Sequence, residues 1–375
     1  MQKVNFSEQA AEKGGFEHFM LKEIYEEPKA LSDTIFPHIK DDLPNLSIPN
    51  FSDDKILSFK KIHIVACGTA MHAGLVGKTL IESLARIPVE VNIASEFRYS
   101  NPILSKDDLV IVISQSGETA DTLAALKLAK KSGVFTLAVV NIKGSSIERE
   151  ADATFLTNAG PEISVASTKA YAVQCAFMYL LSLKLALIYE TKTKSETKEL
   201  TQILKETPQK VSETIEYLNP ICKALAKDNI KTDTLFFIGR GMDYALSVEG
   251  SLKLKEISYI HSEGYAAGEL KHGTISLITE GTPVVAIATQ TNLIEKMISN
   301  VKEIKARGGK VIFVTTENEI PRDAYDFLVP LVKTEDFFTP LILGPFIQLF
   351  AYYTALFRGC DVDKPRNLAK SVTVE

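Results

Sequence analysis

The sequence predicts an α/β protein made of two tandem doubly wound domains, each a parallel sheet flanked by helices. Short apolar runs that suit buried parallel strands alternate with longer helical patterns. The same order of elements occurs twice, first from Lys61 and again from Thr234. A chain of 375 residues with 45% apolar content is long enough for two such domains. We therefore expect the duplication of one α/β domain.

The expected boundaries follow from this repeat. The chain divides into a charged lead-in at 1–47, a first domain at 48–200, a helical connector at 201–224, a second domain at 225–362 and a tail at 363–375. The lead-in is expected to contain a helix over Phe16–Glu26. Strands are expected to begin at Lys61, Asp108 and Phe135 in the first copy and at Thr234, Pro283 and Lys310 in the second. In each copy, a helix is expected after the first strand and after the second. Pro208 and Pro220 are expected to break the helical stretch between the domains.

Two long apolar stretches, Ala170–Tyr189 and Phe337–Phe357, are expected to form helices that are buried on all sides, in a core or a subunit interface. We expect the second helix to begin near Pro345, which leaves it short of the ~20 residues that cross a bilayer. The N-terminus lacks the apolar core of a signal peptide. The expectation is a cytoplasmic protein without a membrane partner.

The charge and cysteine content exclude several other classes. The net charge of −5, from 42 Lys and Arg against 47 Asp and Glu, comes without a basic block and argues against nucleic acid as a partner. The four cysteines are widely spaced, with no Cys-x-x-Cys pair and no histidine cluster. Reduced, half-buried thiols fit this pattern. We expect no metal and no cofactor.

A polar loop after the strand Asp108–Ile113 gives the main functional prediction. It reads Ser114-Gln-Ser-Gly-Glu-Thr119 and leads into a Leu/Ala-rich helix. Ligands bind at this end of a parallel strand, and a helix N-terminus favours anions. No lysine follows the glycine, so the loop suits the phosphate of a small molecule rather than a nucleotide. The alternative is that these side chains only cap the helix. The second copy has Ala288-Thr-Gln-Thr-Asn292 here, so one phosphate site per chain is expected.

The helix after Gly239-Arg-Gly241, for which Asp243 is the expected N-cap, is the second candidate feature. Glu249, Lys253 and Glu256 are spaced i, i+4 and i+7 and therefore share one helical face. Two carboxylates around an ammonium form a proton-transfer set. The alternative is an exposed ion-pair stripe, worth only ~0.3–0.5 kcal/mol per pair.

Two further segments carry candidate groups. His272 lies in a segment that contains several glycines, and a histidine can transfer protons near neutral pH. The alternative is a structural role, since a lone histidine more often only makes a hydrogen bond within the fold. The C-terminal tail has Pro365 to set its direction and Leu368 to anchor it, and it carries the cations Arg366 and Lys370. Tails usually fray, but this one has the features of a segment that lies across a site.

Four motifs of the chain resemble the isomerase part of the glucosamine-6-phosphate synthase family, which consists of two sugar-isomerase (SIS) domains. They are Ser114-Gln-Ser-Gly-Glu-Thr-Ala-Asp-Thr122, Val165-Ala-Ser-Thr-Lys-Ala170, Glu269-Leu-Lys-His-Gly273 and Arg366-Asn-Leu-Ala-Lys-Ser-Val-Thr-Val-Glu375. Many SIS domains share the first motif, whereas the last is close to diagnostic. The resemblance extends from the lead-in segment Ala11–Met20 to the last residue.

The resemblance implies an aminotransferase of amino sugar and UDP-N-acetylglucosamine biosynthesis that acts on fructose 6-phosphate. The product is glucosamine 6-phosphate with ammonia and glucose 6-phosphate without it. The implied phosphate contacts are Thr69, Ser114, Gln115, Ser116 and Thr119, and the implied sugar contacts are Val165, Ser167 and Ala369.

The resemblance also assigns the chemistry. Lys370 would form a Schiff base with C2 of the open-chain ketose. Because this reaction requires a neutral amine, we expect the pKa of Lys370 to be lowered, partly by burial beside Arg366. Glu256 would move the proton between C1 and C2, with support from Glu249 and Lys253. His272 from the neighbouring subunit of a homodimer would assist ring opening.

The chain departs from the family pattern in two places. Position 70 is Ala where the family usually has Ser, which removes one hydroxyl contact worth about 1 kcal/mol. The family also carries a glutaminase domain with an N-terminal cysteine, whereas Met1-Gln2 leads directly into the lead-in. We therefore expect an excised isomerase domain, or a stand-alone protein, that does not hydrolyse glutamine. Two other functions stay open: an SIS deaminase or deglycase of aminosugar phosphates, and a non-catalytic SIS module that senses a sugar phosphate.

Overall fold

The computed structural model describes residues 12–374, and expectations for residues 1–11 and Glu375 lie outside that range. The lead-in forms α1 (Phe19–Tyr25), α2 (Glu27–Ile35), a 3-10 turn (Phe36–His38) and the antiparallel pair β1 (Ile39–Lys40) and β2 (Leu43–Pro44). The helix predicted over Phe16–Glu26 is therefore shorter than expected. A second helix follows at once because Pro28 fits the first turn of a new helix.

The first domain contains a five-stranded parallel sheet. Its strands are β3 (Lys61–Ala66), β4 (Val89–Ile93), β5 (Asp108–Ser114), β6 (Phe135–Val140) and β7 (Ala153–Leu156), in the order β4-β3-β5-β6-β7. Its helices are α3 (Asp53–Leu57), α4 (Gly68–Leu84), α5 (Ala94–Phe97), α6 (Ala120–Lys131), α7 (Ser146–Glu150) and α8 (Lys169–Ile188). Every residue of β5 is buried, as expected for a central strand with helices on both faces of the sheet.

The connector is the single helix α9 (Lys194–Asn229), which begins at a capping box made by Thr193 and Glu196. The predicted breaks at Pro208 and Pro220 are wrong, since the helix continues through both residues. Each proline removes only one backbone hydrogen bond, and the buried face of α9 packs along α12 (Thr339–Phe357) of the second domain. This packing outweighs the local loss.

The second domain repeats the architecture of the first. Its strands are β8 (Thr234–Gly239), β9 (His261–Ala266), β10 (Pro283–Ala288), β11 (Lys310–Thr315) and β12 (Phe327–Pro330), in the order β12-β11-β10-β8-β9. Its other helices are α10 (Met242–Ser258), α11 (Ile294–Lys305) and 3-10 turns at Glu269–His272, Thr274–Leu277, Thr291–Leu293, Arg322–Ala324 and Asp336–Phe338. Numbered within its own domain, each sheet has the strand order 2-1-3-4-5. The predicted fold class, two doubly wound domains, is confirmed.

Helices α8 and α12 form the core between the two sheets, together with α4, α9 and α10. The predicted start of α12 near Pro345 is wrong, because the helix begins at Thr339 with Pro340 in its first turn and carries Pro345 inside. Both α8 and the segment Asp336–Phe357 are long and apolar enough to cross a membrane, but 89% of each apolar window is buried within the fold. Their apolar character is therefore explained by core packing.

A buried carboxyl group on α2 gives this core a pH-dependent stability. Glu27 is 1% exposed and accepts a hydrogen bond from Gln348 Nε2 on α12 at 2.6 Å. Burial raises the pKa of Glu27 to about 8, against the effect of the Gln348 hydrogen bond and with a contribution from the charge of Glu162. The folded protein therefore keeps this carboxyl protonated at neutral pH, whereas the unfolded chain ionises it.

We predict that Glu27→Gln removes one pH-dependent loss of stability. In the native protein, the contribution of Glu27 to the free energy of unfolding is fully present below the ordinary pKa of the carboxyl. It disappears as pH rises towards 8, because only the unfolded chain releases the proton over that interval. The stability of the variant relative to the native protein should rise by on the order of 3 kcal/mol between pH 5 and pH 8. Urea unfolding at both pH values measures this difference. The substitution Glu319→Gln, at an exposed position, is the control. The prediction would be contradicted if the free energy of unfolding changed by the same amount between the two pH values in Glu27→Gln and in the native protein.

Candidate active site

A cavity of about 380 Å³ lies at the carboxyl end of β5, where the first domain meets α10 and the C-terminal tail. This position is the switch point of the first sheet, next to the central strands β3 and β5. The cavity lining contains eleven predicted site residues, namely Thr69, Ser114, Gln115, Ser116, Thr119, Val165, Ser167, Lys253, Glu256, Ala369 and Lys370. Side chains from five separate stretches of sequence therefore meet in one place.

The loop between β5 and α6 forms one wall of the cavity. Ser114 Oγ accepts a hydrogen bond from the N–H of Gly117 at 3.0 Å and lies 2.9 Å from Thr119 Oγ1, while Ser116 Oγ accepts from the N–H of Glu118 at 3.2 Å. Gly117 has φ +66°, and a Cβ there would lie 2.1 Å from Ser145 Oγ, so only glycine fits. Thr119 precedes α6 without a side-chain capping bond. The hydroxyls therefore shape the loop and face the cavity, and helix capping by Thr119 is not observed.

A buried charge network on α10 forms the opposite wall. Lys253 Nζ lies 2.7 Å from Glu256 Oε2 and 3.7 Å from Glu249 Oε1, and the lysine side chain is 1% exposed. Glu249 also accepts hydrogen bonds from Thr69 Oγ1 at 3.1 Å and contacts His72 Nδ1 at 2.6 Å, both on α4. The alternative of an exposed ion-pair stripe is therefore wrong for this face.

The protonation of the lysine follows from its two carboxylate neighbours. Burial lowers the pKa of Lys253, but the charges of Glu256 and then Glu249 outweigh burial, so its pKa is raised overall. Lys253 is therefore an ammonium at neutral pH. Glu256 is 22% exposed at the cavity wall, whereas Glu249 lies behind the lysine and does not line the cavity.

The C-terminal tail closes the cavity. Ser371 Oγ lies 2.9 Å from Ser116 Oγ, and the carbonyl of Val372 accepts a hydrogen bond from the N–H of Ala120 at 3.1 Å. Lys370 Nζ donates to Glu162 Oε2. The tail therefore packs against the loop between β5 and α6 and the start of α6.

The partner of Lys370 differs from the expected one. Arg366 lies over the ring of Tyr259 at 4.1 Å, and the charged partner of Lys370 is the carboxylate of Glu162. Burial raises the pKa of Glu162, but the charge of Lys370, its hydrogen bond and the backbone N–H groups of Ala170 and Thr168 lower it overall. The expectation that Arg366 is the group beside the lysine is therefore wrong. Glu162 was missed, although its position three residues before the motif at Val165 was an available signal.

His272 is the one predicted catalytic residue that this chain does not bring near the cavity. It is exposed on the 3-10 turn Glu269–His272 after the edge strand β9 and is absent from the cavity lining. Its neighbour Lys271 pairs with Glu303 of α11. Within one chain, His272 therefore does not contact the site.

The cavity lining also contains residues that were not predicted as site residues, among them Gln174, Cys67 and Thr122. Gln174 of α8 is 3% exposed, and its Oε1 has no hydrogen-bond partner among the described residues. Cys67 receives a weak hydrogen bond from Thr122 Oγ1 at 3.8 Å, and burial raises the pKa of its thiol. The sequence does not mark such residues as part of a site, because they lie on apolar segments. Only the fold decides which face of a helix or strand end lines a cavity.

The corresponding end of the second sheet is filled by the protein's own carboxylates. Asp243 accepts hydrogen bonds from Thr289 N–H at 2.8 Å and Thr289 Oγ1 at 2.5 Å, and Asp336 accepts from the N–H and hydroxyl of Thr291. Asp243 is not the N-cap of α10, which is Gly241. Burial raises the pKa of Asp243 to about 6 despite these hydrogen bonds. The expectation of a single phosphate site per chain stays a prediction.

Comparisons with known proteins agree with this architecture. The sequence matches the SIS domain family over residues 55–184 and 230–355, one match for each sheet. A protein of Clostridium tetani named glutamine–fructose-6-phosphate aminotransferase (isomerizing) is 56% identical over 377 aligned residues, which cover 99% of this chain and 61% of that protein. A protein of the same name from Caldanaerobacter subterraneus is 53% identical with the same coverage. The chain thus spans 61% of the length of these curated relatives.

A solved structure extends the comparison to three dimensions. The C-terminal domain of glucosamine-fructose-6-phosphate aminotransferase from Francisella tularensis superposes with a TM-score of 0.91 and 38% identity, covering 94% of this chain and 100% of that domain. The chain therefore belongs to the SIS domain family, with two SIS domains in tandem, and within it to the family of the C-terminal domain of glucosamine-fructose-6-phosphate aminotransferase.

Proposed function

We propose that this chain is the sugar-isomerising part of a glutamine–fructose-6-phosphate aminotransferase. It would bind fructose 6-phosphate and, with ammonia, release glucosamine 6-phosphate, or glucose 6-phosphate when ammonia is absent. The observation that carries the proposal is the single cavity in which the hydroxyl-lined loop, the charged face of α10 and Lys370 meet. The names of the relatives support the choice of substrate.

In this proposal the loop 114–119 and Thr69 hold the substrate by its phosphate. The loop supplies three hydroxyls and an amide at the start of the twelve-residue helix α6, whose N-terminus favours an anion. Val165, Ser167 and Ala369 line the adjacent space for the sugar chain. Binding at this remote end positions the reacting carbons, which lowers the entropic part of the barrier.

Lys370 would then bind the substrate covalently. Its Nζ must first lose a proton, and the contacting Glu162 carboxylate is placed to accept it. The neutral amine attacks the C2 carbonyl of the open-chain ketose to form a C–N bond. The C2 oxygen leaves as water, and a C2=N Schiff base remains.

Glu256 would carry out the proton transfer between C1 and C2. Its carboxylate is fixed at the cavity wall by Lys253, whose ammonium also stabilises negative charge that develops during proton abstraction. Glu249 holds the lysine from behind and does not meet the substrate. The rigid helix keeps the base in place over the C1–C2 bond.

A homodimer with shared active sites belongs to the same proposal. His272 is exposed and remote from the cavity of its own chain, so ring opening by this residue requires a second copy. Exposed side chains at the end of β4 and in the segment after it support such a contact, since Ile93, Tyr99 and Ile103 are 47%, 75% and 92% exposed. The four free thiols suit a reducing compartment, which supports a cytoplasmic location. In the full-length enzyme a glutaminase domain would supply the ammonia.

Borohydride trapping with fructose 6-phosphate tests the central step. Reduction of the Schiff base should attach the hexitol phosphate to Lys370, because this amine is the one that shares the cavity with Glu162 and the loop 114–119. Peptide mapping by mass spectrometry locates the adduct, and Lys370→Arg is the matched control that keeps the charge. Labelling of Lys253 or Lys271 would reassign the nucleophile, and no labelling at all would favour a non-catalytic sugar-phosphate sensor.

We predict that Glu256→Gln lowers the rate of glucose 6-phosphate formation from fructose 6-phosphate by about 10³-fold, because the amide cannot accept the C1 proton. The affinity for glucose 6-phosphate, measured by calorimetry, should stay within about twofold, because the phosphate site is on another segment. The exposed neighbour Lys255→Gln serves as the control. Unchanged turnover in Glu256→Gln would refute the assignment of the base.

Mixing two inactive variants tests the shared site. Lys370→Ala and His272→Ala should each be inactive alone, and after mixing and subunit exchange about one quarter of the native activity should return. Half of the dimers are then mixed, and each mixed dimer has one intact site of two. The rate of glucose 6-phosphate formation measures the recovery. No recovery in a mixture whose subunit exchange is verified by mass spectrometry would show that His272 does not act across the dimer.

A further inference from the structure

Helix α1 lies outside both SIS matches, yet it contacts the two segments that hold Lys370 and its partner. The N–H groups of Phe19 and Met20, at the start of α1, donate to the two carboxylate oxygens of Asp363 at 3.0 and 2.9 Å. The carbonyl of Asp363 in turn accepts a hydrogen bond from the N–H of Val165 at 3.0 Å. The beginning of the tail is thereby fixed to α1 and to the segment that lines the cavity.

Glu23 of α1 reaches the turn that carries Glu162. Its side chain is 2% exposed, and its Oε1 accepts hydrogen bonds from the successive backbone N–H groups of Ile163 and of Ser164, the latter at 3.2 Å. Its Oε2 is buried with no hydrogen-bond partner among the residues that the structure describes. A buried carboxyl that fixes two consecutive N–H groups is a costly arrangement, since its polar atoms are removed from water. Its position beside the Lys370 pair suggests a role in the site.

Glu162 completes this group of contacts. Besides Lys370, its carboxylate accepts hydrogen bonds from the N–H groups of Thr168 and Ala170 at 2.9 and 3.0 Å and from Ser167 Oγ at 3.2 Å. These donors fix the carboxylate from the C-terminal side of the turn. Glu23 fixes the same turn from the N-terminal helix.

We propose that Glu23 is a positioning residue for Lys370, which holds the turn at 162–164 so that Glu162 meets the lysine. This inference rests on the proposed function, in which Lys370 forms the Schiff base. The lead-in segment is then a working part of the active site and not a spacer before the first SIS domain.

Glu23 acts in its neutral form near pH 7. Burial raises its pKa to about 8, with a further contribution from the charge of Glu162 and against the effects of Lys370 and the two N–H groups. The other carboxyl nearby, Glu27 on α2, is protonated for the same reason, and α12, which packs against α1, has no charged residue. Glu162 is the carboxylate that contacts Lys370. A second would hold the lysine proton more tightly and hinder amine attack.

The rate of borohydride-trapped adduct formation at Lys370, measured over a range of fructose 6-phosphate concentrations, tests this role. Glu23→Ala should lower the maximal rate about tenfold, because small misplacement of reacting groups is costly. The half-saturating concentration should stay within about twofold, because the phosphate loop is a separate segment. Glu23→Gln should retain at least half of the rate, since the amide is neutral and its oxygen accepts the same two hydrogen bonds.

Two further variants make the result decisive. Glu27→Ala, a matched buried carboxyl that contacts Gln348 and not the turn, should lose stability while its maximal rate stays within about twofold of the native rate. Glu23→Asp, which withdraws the carboxyl by one methylene, should show the slow rate even if Glu23→Ala does not fold. Native rates in Glu23→Asp, or a change confined to the half-saturating concentration, would overturn this inference alone. Absence of an adduct at Lys370 in the native protein would instead overturn the proposed function.

Discussion

The structure depends on one buried ammonium. Lys253 is almost completely removed from water, and such a charge is tolerated only when carboxylates compensate it at close range. Glu249 and Glu256 provide this compensation, and Glu249 is held by Thr69 and His72 of the other domain. The electrostatic requirement of a single lysine thus fixes the register of α10 against α4. That register places Glu256 at the cavity wall.

The two domains have the same topology but different tasks. In the first, the carboxyl end of the central strand leaves its hydroxyls and helix N-terminus available to the cavity. In the second, Asp243 and Asp336 occupy the equivalent donors. An internal carboxylate at this place satisfies the same N–H groups that a ligand anion would. The donors at this end of the second sheet are therefore already paired within the protein, and in the proposed function this domain contributes α10 to the site.

The terminal segments complete a site that neither sheet could form alone. Asp363 joins the tail to the N-terminus of α1, and Glu23 joins α1 to the turn of Glu162. Lys370 is a flexible side chain near the end of the chain, and such a group acts precisely only if the backbone on both sides of it is restrained. The contacts of Val372 with Ala120 and of Asp363 with α1 supply that restraint.

The sequence alone determined the fold class, the repeat and most cavity residues, because buried strands, glycine turns and i, i+4, i+7 spacing are local properties of the chain. It misjudged Pro208, Pro220 and Pro345, where tertiary packing outweighs the local cost of proline. Only the tertiary structure decided that Glu162 rather than Arg366 faces Lys370, that Glu23 contacts the turn after Glu162, and that His272 lies away from the cavity of its own chain. These contacts join residues that are far apart along the chain. Their partners depend on how whole elements pack, which no local pattern encodes.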